Sequence, residues 1–161
     1  MSNEKLISNN PSVRHDYFIE ELVEAGLVLT GTEVKSIRTH APNLKDSYVE
    51  VLFKKNGNYE AWITNVHIAP YSHGNIWNHE PLRKRKLLLH KHQIKQLFGC
   101  VTQKGMTVVA TRMYFKKGII KIELAIAKGK KRHDKRHALK QKSAEKEMNR
   151  AMKSAKRYFK E

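Results

Sequence analysis

The residues able to build a hydrophobic core stop at Ala127. Just before that point, Ile120, Ile122, Leu124 and Ile126 recur at every second position, with Lys121 and Glu123 between them. A period of two sends successive side chains to opposite faces of an extended chain, so this stretch predicts a strand with one buried face. Beyond it, residues 128–161 hold 14 Lys and Arg against four acids, Asp134, Glu145, Glu147 and Glu161. Such a stretch cannot enclose a core. A globular body is therefore confined to residues up to 127, where 18 Lys and Arg face 11 acids.

Within that body the pattern predicts mostly strands. Residues 1–13 are polar and carry Asn9-Asn10-Pro11, which predicts a flexible leader. Tyr17, Phe18, Ile19 and Leu22 predict a strand, which Gly26 separates from Leu27-Val28-Leu29. Gly31-Thr32 predicts a helix start with Thr32 as the cap, running to about Arg38 and broken by Ala41-Pro42-Asn43. Tyr48 to Phe53 and Tyr59 to Ile68 predict a hairpin around Asn56-Gly57, with Trp62, Thr64 and Val66 on one face. Residues 69–86 are loop-like and lead into Arg83-Lys84-Arg85-Lys86 and three leucines. Ile94, Leu97, Phe98 and Val101 lie at helical spacing, closed by Gly105. Met106 to Phe115 and Ile119 to Ala127 complete the set, joined by Lys116-Lys117-Gly118. The expected class is mainly β with helices: a small OB-like antiparallel β-barrel with two or three helices and a basic C-terminal tail. A flat α+β sandwich is the alternative.

The domain division is thus a leader over 1–13, an OB-like β body over 14–127 and a basic tail over 128–161. Residues 128–137 are expected to be disordered in the free chain. After them Ala144, Met148, Ala151, Met152, Ala155, Tyr158 and Phe159 make one weak helical stripe, which predicts a helix formed against a partner.

Charge narrows the partner. The formal net charge of +17 exceeds what solubility needs, and it attracts polyanions, nucleic acid before anionic membrane. No apolar stretch is long enough to span a bilayer and the first residues lack the apolar run of a signal peptide, so a cytoplasmic protein is expected. Cys100 is the single cysteine and sits among apolar neighbours, which favours a buried structural thiol. Catalytic signals are sparse: no phosphate-binding Gly-rich loop, no Gly-x-Ser-x-Gly and no paired cysteines. His133 and His137 have the i, i+4 spacing of metal ligands, but their cationic surroundings oppose a metal. Glu24 and Glu33, two acids without an Asp-rich cluster, are weak grounds for a metal-dependent nuclease. The expectation is no enzyme, no cofactor and no metal. For RNA, Arg83, Lys84, Arg85 and Lys86 make one basic cluster, and Lys128, Lys130, Lys131, Arg132, Lys135 and Arg136 a denser one. His73, Trp77 and His79 in the loop either stack on bases or pack over the end of the body, and the sequence leaves both open.

Three blocks together resemble the SsrA-binding protein family. They are residues 14–38 (Arg-His-Asp-Tyr-Phe-Ile-Glu-Glu, then Glu-Ala-Gly-Leu-Val-Leu-Thr-Gly-Thr-Glu-Val-Lys-Ser-Ile-Arg), residues 78–91 (Asn-His-Glu-Pro-Leu-Arg-Lys-Arg-Lys-Leu-Leu-Leu-His-Lys) and residues 123–136 (Glu-Leu-Ala-Ile-Ala-Lys-Gly-Lys-Lys-Arg-His-Asp-Lys-Arg). The resemblance implies an adaptor that binds the tRNA-like domain of tmRNA and delivers alanyl-tmRNA to stalled ribosomes. It implies Glu24, Leu88 and Lys121 as tmRNA contacts, to which the basic cluster adds Arg83, Arg85 and Lys86. It also implies that a tail containing Lys128, Gly129, Lys130, Lys131, His133, Asp134, Lys135 and Arg136 reaches the small-subunit rRNA and the empty mRNA channel near the decoding centre. Elongation factor Tu with GTP would be an indirect partner, and a monomer is expected. The competing readings are a constitutive ribosomal or general structured-RNA-binding protein and, more distantly, a nuclease.

Overall fold

The computed structural model describes residues 4–158, without the side chains of residues 132, 133, 138 and 154–158. Seven antiparallel strands carry the body: β1 (Glu4–Asn9), β2 (Tyr17–Leu27), β3 (Tyr48–Phe53), β4 (Tyr59–Thr64), β5 (Arg85–Leu88), β6 (Thr107–Lys116) and β7 (Ile119–Gly129). Their order is β1-β6-β3-β4-β5-β2-β7, and β6 also pairs with β7. The strands β6, β3, β4, β5, β2 and β7 therefore close into a ring, with β1 added along β6. Closure removes most of the unpaired edges that an open sheet leaves. Ile120, Ile122, Leu124 and Ile126 point inward and are buried, as their alternation demands. The helices of this unit are α1 (Ser12–Asp16), α2 (Gly31–Thr39) and α3 (Lys91–Gln103). The last sends Ile94, Leu97 and Cys100 into the core. The chain divides into two compact units, one ending at Gly129 and the other beginning at Lys130.

Several local expectations are corrected. The leader is structured from Glu4: β1 pairs with β6, and the Asn10 side-chain amide donates to the Leu44 and Ala110 carbonyls at 3.0 and 3.1 Å. A buried amide with both donors used anchors a segment whose polarity suggested freedom. β2 runs unbroken through Gly26, because Leu88 of β5 leans over it. A Cβ at Gly26 would lie 3.2 Å from the Leu88 Cβ. β4 stops at Thr64, since Asn65 has φ 62°. That left-handed residue turns Val66 into the core and off the face of Trp62. The N-cap of α2 is Thr30 rather than Thr32, with the Glu33 carboxylate accepting the Thr30 N–H at 2.8 Å. Thr30-Gly31-Thr32-Glu33 has the spacing of a capping box.

In the second unit, α4 spans Arg132–Tyr158. It begins inside the stretch expected to lack structure, while Lys128 and Gly129 belong to β7. A physical reason is local: the Asp134 carboxylate accepts the Lys131 N–H at 3.1 Å, and negative charge in a first turn favours the helix. Met148 and Met152 of the apolar stripe are exposed. Phe159 lies outside the described residues.

The central polar feature of the body is an ion cluster. Glu33 and Arg85 are both 0% exposed. Glu33 Oε1 accepts from Arg85 Nε (2.8 Å) and Arg83 Nε (2.7 Å), and Oε2 accepts from Arg83 Nη2 (2.6 Å) and Thr30 N. The Arg85 guanidinium also donates to the carbonyls of Val66, Arg83 and Pro81. Burial would raise the Glu33 carboxyl, but the hydrogen bond from Arg83 and its companions win and hold it below the ordinary value. Replacing Glu33 by Gln leaves two guanidiniums without a counter-charge, and we expect a loss of about 3–5 kcal/mol in urea unfolding. Because the folded carboxyl titrates lower than the unfolded one, its contribution is present above the ordinary carboxylate range. It is lost as pH falls through the depressed folded value, so the acid limb of a stability–pH profile should flatten in Glu33→Gln.

Candidate nucleic-acid interface

Cross-strand register gathers three of the expected contacts on the outer face of the ring. Gly26 of β2 lies opposite Leu88 of β5 on one side and Lys121 of β7 on the other. Lys121 in turn lies opposite Tyr114 of β6. Glu24 is two residues from Gly26 along β2, hence on the same face, opposite Glu123. Neighbouring strands are about 4.8 Å apart, so Leu88, Lys121 and Glu24 fall within the span of a nucleotide or two. Gly26, with no side chain, lets Leu88 close over the strand beside Lys121.

Each side chain brings different chemistry. Leu88 is 55% exposed, an apolar platform in a polar setting. Lys121 is half-buried and forms no salt bridge among the described residues. Glu24 is held: its Oε2 accepts from the Tyr114 hydroxyl and from Lys116 Nζ at 2.8 Å. These two bonds, Lys116 first, hold its carboxyl below the ordinary value, while desolvation and then the Glu24 bond push the Tyr114 phenol well up. Oε1 accepts from no described residue and remains open to an incoming donor. Around this group Arg112 lies over the Tyr114 ring at 4.8 Å and pairs with Glu123 at 2.9 Å. An acceptor with one oxygen fixed, a cation without a direct salt bridge among the described residues and an apolar surface suit a base or ribose edge, a phosphate and a base face respectively.

The basic quartet at 83–86 does not form one cluster. Arg85 is withdrawn from the proposed RNA contacts because it is buried on Glu33. Arg83 is largely spent on the same carboxylate, at 2.6 Å. Lys84 pairs with Glu50 at 2.6 Å. Lys86 does reach the outer face, two residues from Leu88, but pairs with Glu60 at 2.8 Å. Lys86 and then Lys54 lower the Glu60 carboxyl to about 2. Tyr114, Lys116, Arg112 and Gly26 were not legible as site residues, since their partners are remote in sequence. Of the second basic cluster, Lys128 and Gly129 pair with Phe18 and Tyr17 in β2. Lys130 and Lys131 precede α4, while Asp134, Lys135 and Arg136 lie in its first turns and Asp134 caps it. The His133 side chain lies outside the described residues. Among the described residues no group of His, Cys, Asp or Glu gathers as a metal site would need, and no helix is long and apolar enough to cross a membrane.

A closed antiparallel ring with such a face, joined to a strongly basic helical segment, defines the class of polyanion-binding β proteins. The family model described as SmpB protein matches residues 7–154. The chain belongs to the SmpB family. An SsrA-binding protein of Lysinibacillus sphaericus is 50% identical over 154 residues, covering 96% of both chains. One of Clostridium botulinum is 53% identical over 152 residues, covering 94% of both. A chain in a solved structure described as "tmRNA-SmpB: a journey to the center of the bacterial ribosome" is 42% identical with a TM-score of 0.62, over 82% of this chain and 93% of that one.

Lys116 is the main influence on Glu24, so Lys116→Ala should move the Glu24 titration upward, toward the ordinary 4.5. Carboxyl-detected NMR of the free protein would read this, and an unmoved Glu24 would show that the ion pair does not persist in solution.

Proposed function

We propose that this chain is a non-catalytic cytoplasmic adaptor of trans-translation that binds tmRNA and acts on the ribosome. The observation that carries the reading is the convergence of Glu24, Leu88 and Lys121, remote in sequence, on one outer face of a ring whose relatives are SsrA-binding proteins. The face would receive the tRNA-like domain: Lys121 on a phosphate, the open oxygen of Glu24 on a base or ribose donor, and Leu88 against an exposed base or sugar. Lys86 borders this face and would join only by exchanging Glu60 for a phosphate. The tail would supply the ribosomal contact, with Lys130, Lys131, His133, Asp134, Lys135 and Arg136 near the decoding centre and α4 lying along the empty mRNA path. Capping of α4 by Asp134 gives that acid a physical role in an otherwise cationic motif. Alanyl-tmRNA would be delivered to ribosomes stalled on truncated messages, with elongation factor Tu and GTP acting through the tmRNA.

Two experiments test the division of labour. The isolated tRNA-like domain should stay bound in the presence of excess bulk tRNA at moderate salt. Lys121→Ala should weaken that binding by about tenfold and lower the slope of log K against log salt by about one. Binding erased by the competitor would favour a general structured-RNA-binding protein. Lys135→Ala with Arg136→Ala should spare tmRNA binding and block peptide tagging, and equal loss of both would refute separate roles for body and tail.

A further inference from the structure

The segment between β4 and β5 holds two large apolar side chains out into solvent: Ile76 is 89% exposed and Trp77 80%. A slack loop would tend to fold such residues against the body, because an indole alone buries 150–250 Å² when packed. This loop is not slack. The Asn78 side chain clamps Tyr71 from both sides, its Nδ2 donating to the Tyr71 carbonyl at 2.8 Å and its Oδ1 accepting the Tyr71 N–H at 3.2 Å. Gly74 donates to the same carbonyl at 2.8 Å, and a Cβ there would lie 2.5 Å from Asn78 Nδ2, so only glycine fits the clamp. Asn75 Oδ1 accepts the Trp77 N–H at 3.2 Å. At the foot, His79 bonds Thr32 Oγ1 at 2.9 Å and the Ile68 carbonyl at 3.1 Å. His79 is thus a structural residue, whereas Trp77 is a presented one.

The surroundings favour a nucleic acid over an apolar protein surface. Residues 61–79 contain no Asp or Glu. Lys35 Nζ lies 5.7 Å from the Tyr71 ring centre, and the His73 ring packs against the same tyrosine with centres 5.4 Å apart. An exposed aromatic tip on a loop without acids of its own, with Lys35 beside its Tyr71, is the combination by which proteins hold unpaired bases. We infer that the clamped loop tip, Ile76 and Trp77, is a second RNA contact that stacks an unpaired base. It rests on the RNA-binding reading but uses an element separate from Glu24, Leu88 and Lys121.

The test uses the full chain, Trp77→Ala and Trp77→Phe, with fluorescein-labelled oligo(A) and the tRNA-like domain of tmRNA as probes, read by anisotropy. Trp77→Ala should lower oligo(A) affinity about tenfold without changing the salt slope, since no phosphate contact is removed, and Trp77→Phe should restore most of it. Indole emission of a Trp62→Phe protein, which leaves Trp77 alone, should be quenched by oligo(A). Unchanged oligo(A) affinity in Trp77→Ala, with no quenching, overturns the inference even if the tRNA-like domain still binds. So does self-association of the chain in sedimentation that Trp77→Ala abolishes, which would make the tip a protein interface. Failure of the unaltered chain to bind either RNA overturns both this inference and the reading beneath it.

Discussion

The architecture of the body hangs on one buried carboxylate. Glu33 sits at the start of α2 and accepts hydrogen bonds from Thr30, Arg83 and Arg85, while Arg85 reaches on to the carbonyls of Val66 and Pro81. Burying an ion pair costs several kcal/mol per ion unless the remaining lone pairs and protons are used. Here both carboxylate oxygens receive two donors each, which is why the arrangement is tolerable. Its consequence is positional. The helix start, the end of β4, the turn at Pro81 and the start of β5 are all tied to one point. That tie sets where β5 lies, and β5 carries Leu88 onto Gly26. The outer face therefore depends on a group that never touches it.

This explains what could and could not be read from the chain. Alternation at 119–127 declared a strand and its inner face, because burial on one side leaves a period in the sequence. Lys121 was accordingly placed on the open side. The quartet at 83–86 declared charge but not pairing. Glu33 lies fifty residues from Arg83, and nothing local says that an arginine will be drawn inward by an acid so remote. Gly26 misled for a related reason: a glycine in an apolar run signals either a break or a close approach, and only the partner strand decides. Asn10 was misjudged because a polar side chain looks solvated until the carbonyls of Leu44 and Ala110 are seen to take both of its amide protons. In each case the missing information was a long-range contact. Where capping chemistry was local, at Thr30 and Glu33, the spacing was present in the sequence and simply two residues earlier than expected.

The distribution of free charge follows from the same pairing. In the body, Glu4, Glu24, Glu33, Glu50, Glu60 and Glu123 engage Lys54, Arg83, Lys84, Arg85, Lys86, Arg112 and Lys116. At least seven of the 18 Lys and Arg of residues 1–127 are thereby paired internally. What is left on the sheet face is a sparse set of unlike groups, suited to reading the shape of a particular RNA. The segment from residue 128 onward keeps a large excess of cations, suited to long-range attraction that falls steeply with salt. The sparse, unlike groups and the dense positive charge thus lie in different parts of the chain. A body with fewer carboxylates would bind RNA more strongly and less selectively, since every added free cation contributes to phosphate affinity regardless of sequence or shape. The internal ion pairs thus have two effects: they fix strand positions, and they lower the free positive charge on the outside of the body.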